Sequence, residues 1–117
     1  MKNIVLIGMP GSGKTTFGLA LAEKLRRPFV DADAYLEEKE GRTIQSFFAE
    51  SEKAFRDAEE RTIEDLSRRQ NLIIATGGGV VKRPRNVVRL HETGLLIFID
   101  RRAEDIVTDV EVEKRPL

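Results

Sequence analysis

The chain has 117 residues, enough for one domain of ordinary size, with 40% apolar and 34% charged residues. Its 20 basic and 20 acidic residues cancel, so no net field recommends nucleic acid or an anionic membrane, and any anion site must be local. Cysteine is absent, which excludes a disulfide framework, a thiolate metal site and a thiol nucleophile. The longest apolar runs, Ile4 to Ile7 and Leu95 to Ile99, are too short to span a bilayer. No secretory signal is visible, so a cytoplasmic protein is the default expectation.

Short apolar runs alternate with helical periodicity, the pattern of βαβ units around a parallel sheet. Asn3 to Ile7 reads as a buried strand and Gly8 to Gly13 as a glycine-rich turn. From Lys14 the period becomes helical, with Phe17, Leu21 and Leu25 at i, i+4 and i+8. Pro28 to Val30 is a short second strand running into Asp31-Ala32-Asp33, and a brief helix follows and stops at Gly41. Another helix starts at Thr43, and Ser51 is placed to cap a long one with Phe55, Ala58, Thr62, Ile63 and Leu66 on one stripe. Leu72 to Ala75 is the third strand, closed by Thr76 and three glycines. Pro84 suits the first turn of a helix ending near Gly94. Leu95 to Ile99 is the fourth strand, and Ala103 to Val110 a further helix. The fold class expected is α/β, a single domain over residues 1–117 built on a parallel sheet. Its fourth strand would be a long apolar edge of the kind natural proteins cover, so a C-terminally truncated domain is expected.

Gly8-Met9-Pro10-Gly11-Ser12-Gly13-Lys14-Thr15 matches G-x-x-x-x-G-K-[ST] in full, between a strand and a helix as the motif requires. Glycines at 8, 11 and 13 let backbone N–H groups turn inward around phosphates with no Cβ in the way. The helix that follows adds its N-terminal N–H groups and dipole. Lys14 is placed to reach the β- and γ-phosphates of a nucleotide, and the Thr15 hydroxyl to ligate Mg²⁺. The motif leaves the acceptor open, since water, protein and metabolite are all served by such loops.

Three features bear on the acceptor. Asp31 and Asp33 follow the second strand at the carboxyl end, where open α/β sheets bind ligands. Their spacing lets one serve a metal and the other an acceptor; a helix cap is the alternative for Asp33. Glu59 lies on the apolar stripe of the long helix and must be exposed or paired, and Arg56 three residues earlier can reach it. On spacing, a surface ion pair is preferred over an Arg56 fork oriented by Glu59 to grip a carboxylate. Gly77, Gly78 and Gly79 cost chain entropy, which a close backbone approach to a ligand explains better than a tight turn. No aspartate closes the third strand, where Thr76 stands, and Asp100 after the fourth is a rival Mg²⁺ partner or a helix cap.

Taken together, GMPGSGKT at 8–15, FVDAD at 29–33, EKAFRDAE at 52–59, TGGGVV at 76–81 and KRPL at 114–117 resemble shikimate kinase over the whole chain. The resemblance implies the P-loop three-layer α/β/α fold, with four strands present and the family's fifth missing. It implies transfer of the ATP γ-phosphoryl group to the 3-hydroxyl of shikimate in aromatic amino-acid biosynthesis, with Mg²⁺ as cofactor. Gly11, Ser12, Gly13, Lys14, Thr15 and Thr16 would bind ATP, and Arg115 would be the lid arginine over the phosphates. Asp31 would hold a Mg²⁺-bound water, and Asp33 would be base or orienter of the attacking hydroxyl. Arg56 would grip the shikimate carboxylate with Glu59 in support, the backbone of Gly77, Gly78 and Gly79 would line the ring, and Phe47 and Phe55 would wall it. Asp100 is thereby demoted to a structural role.

The family continues past KRPL with the rest of the lid, a second arginine for the carboxylate, an adenine loop and a final strand. The 117 residues alone are therefore expected to bind weakly and turn over slowly. No extra amphipathic stripe is left over, so a monomer is expected. The rivals are a kinase of another metabolite, such as gluconate or a nucleoside monophosphate, and a non-catalytic metabolite-sensing domain of the same fold. Arg56, Glu59 and the glycine triplet weigh against the first, and an intact Lys14 and Thr15 against the second.

Overall fold

The computed structural model describes residues 2–9 and 12–99. Expectations that fall on Gly11, Asp100, the helix from Ala103 and Arg115 lie outside the described residues. Four parallel strands form one sheet in the order β2-β3-β1-β4: β1 Asn3–Gly8, β2 Phe29–Asp31, β3 Ile73–Gly77 and β4 Gly94–Ile99. Five helices join them: α1 Lys14–Leu25, α2 Ala32–Glu40, α3 Ile44–Glu50, α4 Glu52–Ser67 and α5 Pro84–Thr93, with a 3-10 turn Gly78–Lys82 before α5.

β1 reads as an unbroken apolar run because it is paired on both edges and covered on both faces. Its side chains alternate between two cores. Val5 and Ile7 pack with Ile74 of β3, Ile63 and Leu66 of α4, Val80 and Leu90. Leu6 and Ile73 face the other way, onto Ala22, Phe17 and Leu21 of α1. This is the three-layer arrangement the resemblance implied.

Helix α1 lies close to the sheet because its contact face is small. A Cβ on Gly18 would stand 2.4 Å from the Phe29 ring. Gly18 and Ala22 are the buried positions, whereas Leu25, expected on the stripe, is 41% exposed in the last turn. Gly41, at φ 69°, ends α2 in the left-handed region as its type suggests. Thr43 and Ser51 cap α3 and α4, accepting from the N–H groups of Ser46 and Ala54 at 3.1 and 2.9 Å. A third cluster, Leu36, Phe47, Phe55 and Ala58, binds α2, α3 and α4 into one lobe beside the β2 edge. At the opposite edge of the described strands, β4 presents Leu95 and Phe98 at 58% and 57% exposure, the apolar edge foreseen. No helix among the described residues is long and apolar enough to cross a membrane.

The parallel register brings the carboxyl ends of β1, β2 and β3 level, with Gly8 opposite Gly77 and Asp31 opposite Ala75. All the residues singled out for chemistry among the described positions issue from this end or from the first turns of α4.

Candidate active site

Among the described residues no side chain caps α1. Gly13 occupies the N-cap position at φ 85°, a left-handed conformation that favours glycine, and no side chain or acidic first-turn residue satisfies the N–H groups. α2, α3 and α4 are each capped by a side chain. The positive end of the α1 dipole is thus left for an anion. Beside it the Ser12 hydroxyl is buried with no partner among the described residues. A Cβ on Gly8 would lie 2.7 Å from that hydroxyl and 2.6 Å from the Ile99 carbonyl, so only glycine lets the loop close there. Lys14 is half-buried, and Thr15 and Thr16 are exposed on the first turn. Among the described residues Lys14 has no ion-pair partner.

Across from the loop, Asp31 ends β2 and caps α2. Its Oδ1 accepts from the N–H groups of Asp33 at 2.9 Å and Ala34 at 3.2 Å. The cap alternative weighed for Asp33 is therefore resolved in favour of Asp31, and the Asp33 carboxyl is released for other work. Asp33 is half-buried. Burial first, and then the neighbouring Asp31, push its carboxyl above the usual range, while Lys14 and Arg56 pull it down. Burial and Asp31 outweigh the two cations, whose opposing fields reach Asp33 from the loop and from α4.

The preference for a surface Arg56–Glu59 pair is overturned. The side chains are 14% and 8% exposed, and Arg56 Nη1 donates to Glu59 Oε1 at 2.9 Å. Burial pushes the Glu59 carboxyl up by more than Arg56 pulls it down, and Asp33 adds to the rise. Glu52 stands 3.5 Å from Arg56 Nε, which is buried without a hydrogen-bond acceptor. The guanidinium carbon lies 4.9 Å from the centre of the Phe55 ring and 6.0 Å from that of Phe48. Helical spacing misled because the first turns of α4 are roofed by α3 and by the segment after β3, which no i,i+3 rule can foresee.

That segment explains one of the three glycines. A Cβ on Gly79 would fall 2.6 Å from Arg56 Nη1 and 2.7 Å from Nη2, so the missing side chain makes room for the guanidinium. At Gly78 it would meet the Met9 sulfur at 2.6 Å, and at Gly77 it would meet nothing within 4 Å. None of the three has a positive φ; the need is for space rather than for an unusual backbone.

The aromatic side chains of α3 and α4 differ in exposure. Phe47 and Phe55, both expected as walls, are 3% and 5% exposed and share the core cluster of α2, α3 and α4. Phe48, missed, stacks on Phe55 with ring centres 4.6 Å apart and is 44% exposed. The clue was available: Ile44 and Phe47 share the i,i+3 core face of α3, which turns Phe48 away from it. The charged face of α4 is also more than solvated. Arg83 bridges Asp57 and Glu60 at 2.9 and 3.0 Å, and Arg89 meets Glu64 at 2.7 Å, fastening α5 to α4. His91, read as a surface residue, is exposed.

Comparison with known proteins agrees with this geometry. The family model described as shikimate kinase matches residues 10–117. A shikimate kinase of Clostridium botulinum (strain Eklund 17B / Type B) is 48% identical over 118 residues, spanning all of this chain and 72% of that protein. One of Burkholderia thailandensis is 41% identical, over 98% of this chain and 64% of its own length. Among solved structures, the shikimate kinase of Acinetobacter baumannii in complex with shikimate superposes with a TM-score of 0.83 at 37% identity. The match takes in the whole of this chain and 66% of that one. A gluconokinase of Sinorhizobium meliloti, at 20% identity and a TM-score of 0.52, shares the fold alone. With the family model matching nearly end to end and close relatives bearing the same name, the chain belongs to the shikimate kinase family.

Proposed function

We propose that this chain carries the nucleotide and acceptor sites of a cytoplasmic, monomeric, ATP-dependent kinase that phosphorylates the 3-hydroxyl of shikimate. The observation that carries the acceptor is the buried Arg56–Glu59 pair, lying against Gly79 and acting on the same Asp33 as Lys14 does. A guanidinium already withdrawn from water and oriented by one carboxylate is prepared to take a second, from the substrate, through a bidentate fork.

The uncapped N–H groups of α1, with Ser12 and Gly13, cradle the phosphates, and Gly11 and Thr16 belong to the same nucleotide site. Lys14 neutralises charge on the transferring phosphoryl oxygens. The residues present fit a Mg²⁺ ion. Thr15 offers an exposed hydroxyl at the loop, and Asp31, which uses Oδ1 for its cap, keeps Oδ2 for a metal-bound water. When bound, the ion would help to neutralise the phosphate charge.

Asp33 orients the 3-hydroxyl and accepts its proton as the oxygen–phosphorus bond forms and the bond from the γ-phosphorus to the bridging oxygen breaks, releasing ADP. Its raised pKa suits a base working closer to neutrality than an ordinary aspartate. Phe48, stacked on Phe55, joins Phe47 and Phe55 as the proposed apolar wall, the backbone of Gly77, Gly78 and Gly79 lines the ring, and Arg115, outside the described residues, is assigned the lid role over the phosphates.

Calorimetric titration of shikimate into the chain loaded with Mg²⁺ and ADP tests the proposal. Saturable binding should appear and be lost in Arg56→Met combined with Glu59→Gln, a pair of changes that leaves no lone buried charge. The expected loss is roughly 2–5 kcal/mol of binding free energy, with ADP affinity unchanged. Shikimate binding that survives the double change would remove Arg56 from the site.

A further inference from the structure

Beyond the residues that touch either substrate, we infer that Asn86 is a positioning residue for the shikimate side of the site. The inference rests on the proposed acceptor. Asn86 is the third residue of α5 and is 1% exposed, deep between the helix and the segment that follows β3. Its side-chain amide reaches six residues back, Nδ2 donating to the Val80 carbonyl at 3.1 Å. The orientation of the amide is determined by chemistry: a carbonyl only accepts, so the atom facing it must be the nitrogen. The Asn86 Oδ1 finds no donor among the described residues. A polar side chain so placed is costly to bury, and what it holds is one carbonyl.

That carbonyl belongs to the residue directly after Gly79. Val80 itself is 0% exposed, its side chain set among Ile63, Leu66, Ile74 and Leu90. Val80 is therefore held twice, by its side chain in the core and by its carbonyl on Asn86. Upstream of it Gly77, Gly78 and Gly79 have no side chains with which to anchor themselves. Their backbone must nonetheless stay within a tenth of a nanometre or so of one course, because the Arg56 guanidinium occupies the space where a Gly79 Cβ would be. The anchor at Val80 and the end of β3 at Gly77 are the two fixed points of this glycine bridge. α5 has no side-chain N-cap of its own, so a polar residue in its first turn is spent on the bridge and not on the helix.

The test compares the unchanged chain with Asn86→Leu, which keeps the volume and removes the donor, and with Asn86→Asp, read at pH 8. The aspartate sets an acceptor against the Val80 carbonyl and buries a carboxylate, so it is the harsher of the two changes, and both variants are compared only where near-native amide protection of β1 shows them folded. Amide hydrogen exchange should quicken in the ligand-free variants at Gly78 to Val80 while the β1 amides stay protected. Shikimate affinity measured by calorimetry on the Mg²⁺-ADP-loaded chain should fall roughly five- to ten-fold in both, a fraction of the cost of a buried unpaired carbonyl. ADP affinity should not move, which a general loss of folding would not spare. Exchange that quickens with shikimate affinity unchanged overturns the positioning role. Failure of the unchanged chain to bind shikimate overturns the acceptor, and the inference with it. Unchanged exchange in a folded variant shows that Asn86 does not hold the bridge.

Discussion

The two ends of the site are built on opposite plans. At the start of α1 groups stand open among the described residues: a helix without a side-chain cap, a buried serine hydroxyl without a partner and a lysine without an ion pair. At the start of α4 it closes them. The helix is capped by Ser51, and the arginine is enclosed by Glu59, Glu52, two aromatic rings and the bare backbone of Gly79. The difference follows from the charge each end keeps when empty. N–H dipoles carry only partial charge and tolerate waiting for a triphosphate. A guanidinium is permanently charged and, once buried, must be paired before its substrate arrives. The acceptor end is thus the preorganised one, and the nucleotide end the one that ligand completes.

Asp33 is where the plans meet, and its removal should break the comparison most. Asp33→Asn keeps shape and hydrogen bonding but loses the base, so turnover, followed as shikimate-dependent ADP formation, should fall by roughly 10²- to 10⁴-fold. ADP affinity should be unaffected, because the phosphates are held by the loop N–H groups and Lys14 and not by Asp33. Equal damage to ADP binding would mean the carboxylate serves the nucleotide end.

The glycine triplet offers a graded test of the closed end. Gly79→Ala drives a methyl group into the Arg56 guanidinium, which can retreat only by leaving Glu59. Shikimate affinity should drop by about ten-fold or more, since a charge-assisted bond is traded for a misplaced one. Gly78→Ala meets only the flexible Met9 sulfur, and Met9→Ala in the same chain should relieve it. Gly77→Ala meets nothing within 4 Å among the described residues, so its melting temperature should match that of the parent. A fall in melting temperature as large for Gly77→Ala as for Gly79→Ala would show that the triplet serves the backbone and not the guanidinium.

Much of this was legible from the residues because the nucleotide end is local. A strand, a loop of fixed spacing and a helix lie within Asn3 to Leu25, and the caps Thr43, Ser51 and Gly41 each announce themselves within a few positions. The acceptor end is assembled from α2, α3, α4 and the turn after β3, and there local rules failed where a distant element intervened. Burial of Arg56 depends on Gly79, 23 positions further on, and the choice between Phe47 and Phe48 depends on which face of α3 meets Leu36. Pattern supplied the candidates; the local cap, Asp31 Oδ1 accepting from the Asp33 and Ala34 N–H groups, separated Asp31 from Asp33 and leaves Asp33 open to the role proposed for it.

The smallest expected effect sharpens the comparison through pH. The Glu59 carboxyl is pushed above its ordinary value by burial, despite Arg56, whereas Glu40, Glu60 and Asp65 on the outer faces of α2 and α4 are pulled below theirs, Glu40 by Arg61, Glu60 by Arg83 and Asp65 by Tyr35. A raised folded-state pKa means the native chain binds more protons than the unfolded one as pH climbs past the ordinary carboxylate range, so stability is lost over that interval. The lowered ones act oppositely: their contribution is present above the ordinary range and is lost as pH falls through the folded-state values. Urea unfolding of the parent and of Glu59→Gln at a series of pH values from about 4 to 7 isolates the first term, because the outer carboxylates are common to both. The glutamine variant should gain on the parent as pH rises through the ordinary glutamate value of about 4.3. If the parent gains on the variant instead, the attraction of Arg56 exceeds the cost of burying Glu59. The pair would then be a net stabilising element of the empty protein, and the acceptor end would stand in no need of a substrate carboxylate to complete it.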